Sequence, residues 1–196
     1  MQEIVQFILE LDKLKAVTRK TRPLGLTRYE NSAEHSWQLA IMAMSLAPFA
    51  DPAVNLQHVV PMVLIHDVGE IDVGDTIAYA EGGWEERKTA ELAAVTRIFA
   101  MLPSETGARF LALWQEFEAA DTPDAKFAHA LDRSMPVLLN LANNGQSWRE
   151  NGIQFEQVVR RNGPAVKAGC PALWAYVEQQ LIAKRDSGWF GIPPKS

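Results

Sequence analysis

Two otherwise apolar stretches of this chain are interrupted by side chains that can bind a cation or move a proton, and a third ends in them. "LIHDVGEIDVGDT", running from Leu64 to Thr76, begins as core-type sequence and then delivers His66, Asp67, Glu70, Asp72 and Asp75. His35 opens the apolar run "AEHSWQLAIMAMSLA", and Asp132 lies inside "AKFAHALDRSMPVLL". Taken singly, each has an ordinary explanation: a satisfied core histidine, a helix C-terminal cap, half of a surface ion pair with Arg133. Taken together they do not, because the carboxylates abut buried stretches, where an uncompensated charge is costly. A divalent cation resolves the conflict. His35, His66, Asp67 and Asp132 make a mixed nitrogen and oxygen donor set suited to a first-row or hard divalent ion, with positions left for water and a substrate oxygen. Such an open site is what metal-assisted hydrolysis needs, since the ion polarises a phosphoryl oxygen and lowers the pKa of water. Adjacent residues diverge by about 100° on a regular helix. His66 and Asp67 therefore reach one ion only where the helix ends and the backbone can adjust.

The elements that must position these groups read as helices. Ile4, Phe7, Ile8, Leu11 and Leu14 outline the apolar face of a first amphipathic helix. An irregular basic stretch follows, "RKTRPLGLTRYENS", broken at Pro23 and Gly25. Asn31 and Glu34 form an N-cap and N3 pair that opens a helix apolar on most sides, which predicts a place at the centre of the core. After the turn "DPAVN", a buried helix runs from Leu56 to about Val68, with a kink expected at Pro61. Beyond a polar loop from Gly69 to Gly83, helices are expected over 84–102, 104–120 and 123–141, the last capped by Thr122 with Pro123 in first position. "NNGQSWRENG" reads as a loop, two shorter helices fall near 154–161 and 172–184, and "SGWFGIPPKS" as an extended tail. Trp37, Trp114 and Phe117 have the spacing of core residues. No period-two alternation predicts a strand. The expected fold is all-α, a single-domain bundle of six to eight helices over residues 1–186 with a tail at 187–196.

The bulk numbers exclude several function classes. A chain of 196 residues with a net charge of −5 has no electrostatic footprint for a nucleic acid polymer or an anionic membrane. No stretch approaches the roughly 18 apolar residues of a membrane span. The opening residues carry Glu3, Glu10 and Asp12, unlike a signal peptide. Cys170 is the one cysteine, which excludes an intramolecular disulfide framework and fits a reducing, cytoplasmic compartment.

The ordered set "RYENSAEHSWQLA", "LIHDVGEIDVGDT" and "AKFAHALDRSM" resembles the HD-domain metal-dependent phosphohydrolases, over about Leu14 to Gly145, and within them the 5′-deoxynucleotidase branch. Members of that branch remove phosphate from deoxynucleoside 5′-monophosphates and are commonly homodimers. The resemblance implies that His35, His66, Asp67 and Asp132 hold one divalent ion, of which Mn²⁺, Co²⁺, Mg²⁺ and Fe²⁺ all tolerate the ligand set. It implies that Glu70 positions or deprotonates the attacking water, that Asp75 meets the sugar, and that Arg19 clamps phosphate. Some members carry tryptophan after that arginine where this chain has Lys20, so the ribo or deoxy preference stays open. Arg22 and Arg28 are further phosphate candidates, Arg28 being equally suited to anchoring Glu30 or Glu34. Asp72 reads as a solvated acid. His129, three residues before Asp132, is expected to pack beside the site, since His58 is the only other histidine available to a second metal. The implied activity is a metal-dependent phosphomonoesterase using metal-activated water on (deoxy)nucleoside 5′-monophosphates. Alternatives are hydrolysis of another small phosphate ester or signalling nucleotide, and a metal- and nucleotide-binding sensor without turnover.

Overall fold

The computed structural model describes residues 1–77, 79, 82–187 and 189–190. Ten α-helices form among them: α1 (Gln2–Leu11), α2 (Ser32–Leu46), α3 (Leu56–Ile65), α4 (Glu70–Val73), α5 (Trp84–Phe99), α6 (Ser104–Ala119), α7 (Pro123–Ala142), α8 (Gln146–Glu150), α9 (Phe155–Gly169) and α10 (Pro171–Asp186). The expected bundle of six to eight helices thus gains short members where loops were anticipated. The polar loop after Ile65 contains the single turn α4, and "NNGQSWRENG" contains α8. α3 and α5 stop three residues short of expectation, and α9 and α10 run longer. No strand forms among the described residues, and the only bridge is the isolated antiparallel pair Thr18 and Asn31.

α7 holds the centre. It packs against α2, α3, α6, α9 and α10, and Phe127, Ala128, Leu131, Met135 and Val137 are buried along it. Its start is set locally, since Pro123 occupies the first turn and the Thr122 hydroxyl accepts from the Ala125 amide at 3.1 Å. α9 comes close because Gly169 has no side chain, and a Cβ there would run into the Lys126 carbonyl of α7.

α2 is less central than its composition suggested. His35, Leu39 and Ala43 are buried on one side, but Trp37 is 61% exposed, with Ile41 and Met44 also open. Neighbouring helices cover only one side of α2, so its apolar residues divide between core and surface. Trp114 and Phe117 are core residues as expected, and Trp37 is not. On α1, similarly, Phe7 is buried and Leu14 closes the following turn, whereas Ile8 is 58% exposed.

The basic stretch between α1 and α2 is held by backbone pairing. Arg19 N–H donates to the Glu30 carbonyl at 2.8 Å, Glu30 N–H to Thr21 at 2.8 Å, and Ser32 N–H to Val17 at 3.1 Å. The α2 start has the reciprocal cap anticipated from Asn31 and Glu34, each side chain bonded to the other's backbone N–H. Trp189 and Phe190 fold back rather than extend: Phe190 packs on Trp148 and Phe155, and Trp189 N–H donates to the Lys184 carbonyl at 3.0 Å. The other tail residues, except Ser187, lie outside the described set. No helix among the described residues is long and apolar enough to cross a membrane.

Candidate active site

Three helices bring their predicted side chains to one point. His35, in the first turn of α2, is fully buried, and its Nε2 lies 3.1 Å from Asp132 Oδ1 on α7. His66 follows the last residue of α3, where hydrogen bonding tightens to successive i to i+3 turns from Val68 through Asp72. Its Nδ1–H donates to the Val63 carbonyl at 2.9 Å, and its own carbonyl accepts from Trp114 Nε1 at 3.0 Å. With the ring orientation set in this way, His66 Nε2 faces Asp67 Oδ1 at 3.0 Å and Asp132 Oδ1 at 3.7 Å.

That nitrogen is buried and makes no hydrogen bond, as is His35 Nδ1, 3.5 Å from Glu30 Oε2. In a neutral ring whose Nδ1 carries the proton, Nε2 presents a lone pair to acceptor oxygens, an arrangement that only a proton or a cation relieves. Burial pushes the His66 pKa down, but the Asp67 and Asp132 carboxylates more than reverse this and hold it well above the ordinary value. Burial likewise raises Asp132, and the His35 and His66 rings beside it carry it well below the carboxylate range. His35, His66 and Asp132 each offer one ligand atom within 4.8 Å of one another, so the donor set fits a divalent ion. Asp67 adjoins this group through His66, while its other oxygen takes a 2.6 Å bond from Arg19 Nη1.

Arg19 is the cation of the carboxylate cluster. Besides Asp67 it lies 3.6 Å from Glu30, 3.9 Å from Asp132 and 4.0 Å from Asp75. Glu70, opening α4, accepts from the Ser32 hydroxyl at 2.6 Å. Burial, reinforced by the Asp67 charge, pushes its carboxyl pKa well above the usual range despite Arg19. Arg19, Lys20, Asp67, Glu70, Asp75 and Asp132 all line one cleft of about 360 Å³, a volume at the lower end of small-molecule sites.

His129 packs as anticipated, stacking on Phe117 at 4.2 Å and donating from Nε2 to the Phe117 carbonyl, while Phe117 contacts the His66 ring at 4.9 Å. Arg28 takes the second of its two expected places, forking onto Glu34 at 2.5 and 2.9 Å. Other expectations are corrected. Arg22 bonds Glu150 at 3.0 Å and does not line the cleft. Asp72 is not simply solvated: Arg97 holds it from α5 at 2.7 and 2.8 Å while also gripping Glu10. The sequence reading missed Glu30, almost wholly buried beside His35, as well as Ser32 under Glu70 and two cleft arginines, Arg133 and Arg161. Glu30 had a faint signal, a carboxylate five residues before His35 in a stretch leading into the core. Arg161 had none.

Comparisons with known proteins agree with this geometry. The family described as HD domain matches residues 11–174. A human 5′-deoxynucleotidase, HDDC2, is 29% identical over 138 residues, covering 70% of this chain and 66% of that protein. The fission yeast 5′-deoxynucleotidase hdd1 (Schizosaccharomyces pombe) is 30% identical over 136 residues, 66% of this chain and 67% of the yeast protein. Such alignments span about two thirds of these relatives' length. The crystal structure of a predicted metal-dependent phosphohydrolase from Magnetospirillum magnetotacticum MS-1 superposes with a TM-score of 0.91 at 40% identity, covering 96% of this chain and 94% of that one. With the His…His-Asp…Asp set gathered by α2, α3 and α7 inside the matched span, the chain belongs to the HD-domain family.

Proposed function

We propose that this chain is a metal-dependent phosphomonoesterase that removes phosphate from (deoxy)nucleoside 5′-monophosphates, with residues 1–186 as the catalytic unit. The observation that carries the reading is the buried, unbonded His66 Nε2 facing two carboxylates in the same cleft as Glu70. The names of the human and yeast relatives and of the structural neighbour support it. His35, His66, Asp67 and Asp132 would hold one divalent ion, with Mn²⁺, Co²⁺, Mg²⁺ and Fe²⁺ compatible. When bound, the ion supplies Lewis acidity at the phosphoryl oxygen and lowers the pKa of water.

The chain's own groups do the rest. Glu70 is buried, so its carboxylate is a stronger base than a solvated one. Held by Ser32 and hydrogen-bonded to Asp75, the Glu70 carboxylate is positioned to take the proton of the attacking water as the new P–O bond forms and the ester P–O bond breaks. The same proton can then pass to the departing 5′-oxygen. Arg19, Lys20 and Asp75 line the cleft for the phosphate and sugar. The apolar α2 face, with Trp37, Ile41 and Met44 exposed, borders an apolar groove of about 620 Å³ and supports a homodimer. Buried, unpaired Cys170 is consistent with a cytoplasmic setting.

The test is release of phosphate by metal-stripped protein, restored with Mn²⁺, Co²⁺, Mg²⁺ or Fe²⁺, from a panel of ribo- and deoxynucleoside 5′- and 3′-monophosphates. Release confined to 5′-monophosphates, dependent on metal and lost in Asp67→Ala and Glu70→Ala, is the expected result. Nucleotide binding without release under any metal would leave a sensor instead. Sedimentation of the protein beside Trp37→Glu checks the dimer, which the variant should split.

A further inference from the structure

Three guanidinium groups that line the cleft, Arg87, Arg133 and Arg161, are not neutralised by the carboxylate cluster, and the last two lie within reach of each other's charge. Arg133 follows Asp132 on α7 and brings its Nε to 3.8 Å from Asp132 Oδ2, the oxygen other than the one facing the two histidines. That loose contact is its only ion pair among the described residues. Arg161, on α9, has no ion pair among the described residues, lies over the Trp84 ring at 4.7 Å, and keeps a buried Nε without a hydrogen bond. Both line the same cleft as Asp67 and Glu70. Burial and the neighbouring Arg133 charge push the Arg161 pKa down, a sign that its charge is under-compensated.

Arg19 is in the opposite condition. With four carboxylates within 4.0 Å, one of them hydrogen-bonded at 2.6 Å, its charge is already matched by the cluster it holds together. A pair of like charges on a partly buried wall is relieved by an anion between them. The planar donor fork of arginine suits the oxygens of a phosphate better than any other anion in this chemistry.

We propose that Arg133 and Arg161 form the seat for the phosphate dianion of the substrate and supply the larger share of its binding, with Arg19 serving mainly as counter-charge to the carboxylates. The inference rests on the phosphomonoesterase reading. A phosphate held there adjoins Asp132 Oδ2 and stays within the cleft that Glu70 lines, so binding and proton transfer share one chamber.

Inorganic phosphate is the probe. Its binding to the Mn²⁺-loaded protein is measured by calorimetry for wild type, Arg133→Gln, Arg161→Gln, Arg161→Lys and Arg19→Gln, and Mn²⁺ binding is measured separately without phosphate. Each glutamine variant at 133 or 161 is expected to weaken phosphate binding at least about tenfold. KM should rise by a similar factor for every nucleobase and for deoxyribose 5-phosphate, with kcat less affected. Mn²⁺ affinity should stay within about twofold of wild type, and Arg161→Lys should recover part of the loss. Arg19→Gln should instead alter Mn²⁺ binding. Unchanged phosphate affinity, or a KM rise restricted to certain bases, would overturn the seat and make the pair a base contact. Parallel loss of Mn²⁺ affinity would reduce Arg133 to a positioning residue for Asp132. If wild type hydrolyses no monoester yet binds phosphate in an Arg133- and Arg161-dependent manner, the seat stands and the enzyme reading falls. Thermal melts identify any variant that fails to fold, in which case Arg161→Lys and Arg133→Gln carry the test.

Discussion

Helix α3 carries a histidine near each end, and each sits among carboxylates, yet the two neighbourhoods differ in kind. At the first, His58 meets Glu116 at 2.7 Å, Glu116 also accepts from the Thr122 hydroxyl at 2.6 Å, and Asp124 accepts from the Asn55 amide at 2.7 Å. All three residues are partly exposed. At the second, His66 joins His35 and Asp132 with both imidazoles buried and one nitrogen on each ring without a hydrogen bond. Both clusters combine imidazole with carboxylate. What separates a structural cluster from a candidate metal centre is the state of the lone pairs: spoken for at the solvent edge, unmatched in the interior.

The strongest way to break this comparison is to truncate both histidines. His66→Ala should abolish high-affinity Mn²⁺ binding and with it phosphate release, whereas His58→Ala should leave both within about twofold, as calorimetry and a phosphate assay would show. Equal losses from the two would mean that the distinction between the clusters is illusory. Next in size, Glu30→Gln removes the carboxylate beside His35 Nδ1 while preserving shape. Loss of such an outer partner typically lowers metal affinity about 10- to 100-fold, with the fold intact by circular dichroism. On the solvent side, Thr122→Ala removes both the α7 cap and a bond to Glu116. It should cost about 0.5–2 kcal/mol in denaturant unfolding and leave Mn²⁺ affinity unchanged.

The smallest expected effect concerns Glu91, on the α5 wall of the cleft. Burial, with Glu118 and Asp67 adding repulsion, raises its pKa to about 7 from the ordinary 4.5. Between those values the folded protein holds a proton that the unfolded chain releases, so stability falls as pH rises through this window and levels off above it. Glu91→Gln removes that slope. Its melting temperature should gain on wild type between pH 5 and pH 8, and parallel pH profiles would show the carboxyl to be ordinary.

The sequence carried the inner cluster well because its signal was local: His66 and Asp67 terminate an apolar run, and Asn31 with Glu34 marks where α2 begins. The all-α fold followed from helical spacing, and the long helices came close to their expected bounds. What escaped depended on tertiary position. Trp37 and Ile8 have the spacing of core residues, but spacing says nothing about whether another helix arrives to cover them. Glu30 reads as one more acid in a polar stretch until the bridge between Thr18 and Asn31 draws it under His35. Arg133 looked like half of a surface pair. Arg161, almost thirty positions further on, joins it only because α9 lies against α7.

That contact passes through Gly169, where any added methyl group would meet the Lys126 carbonyl. Even alanine there must push α9 off α7, and the two helices carry one cleft arginine each. In a saturation screen, position 169 should therefore behave as an enzyme residue although it lies far along α9 from Arg161. Substitutions tolerated for expression would still be depleted under selection for turnover, and because the obstacle is a main-chain carbonyl, trimming side chains on α7 should not rescue them.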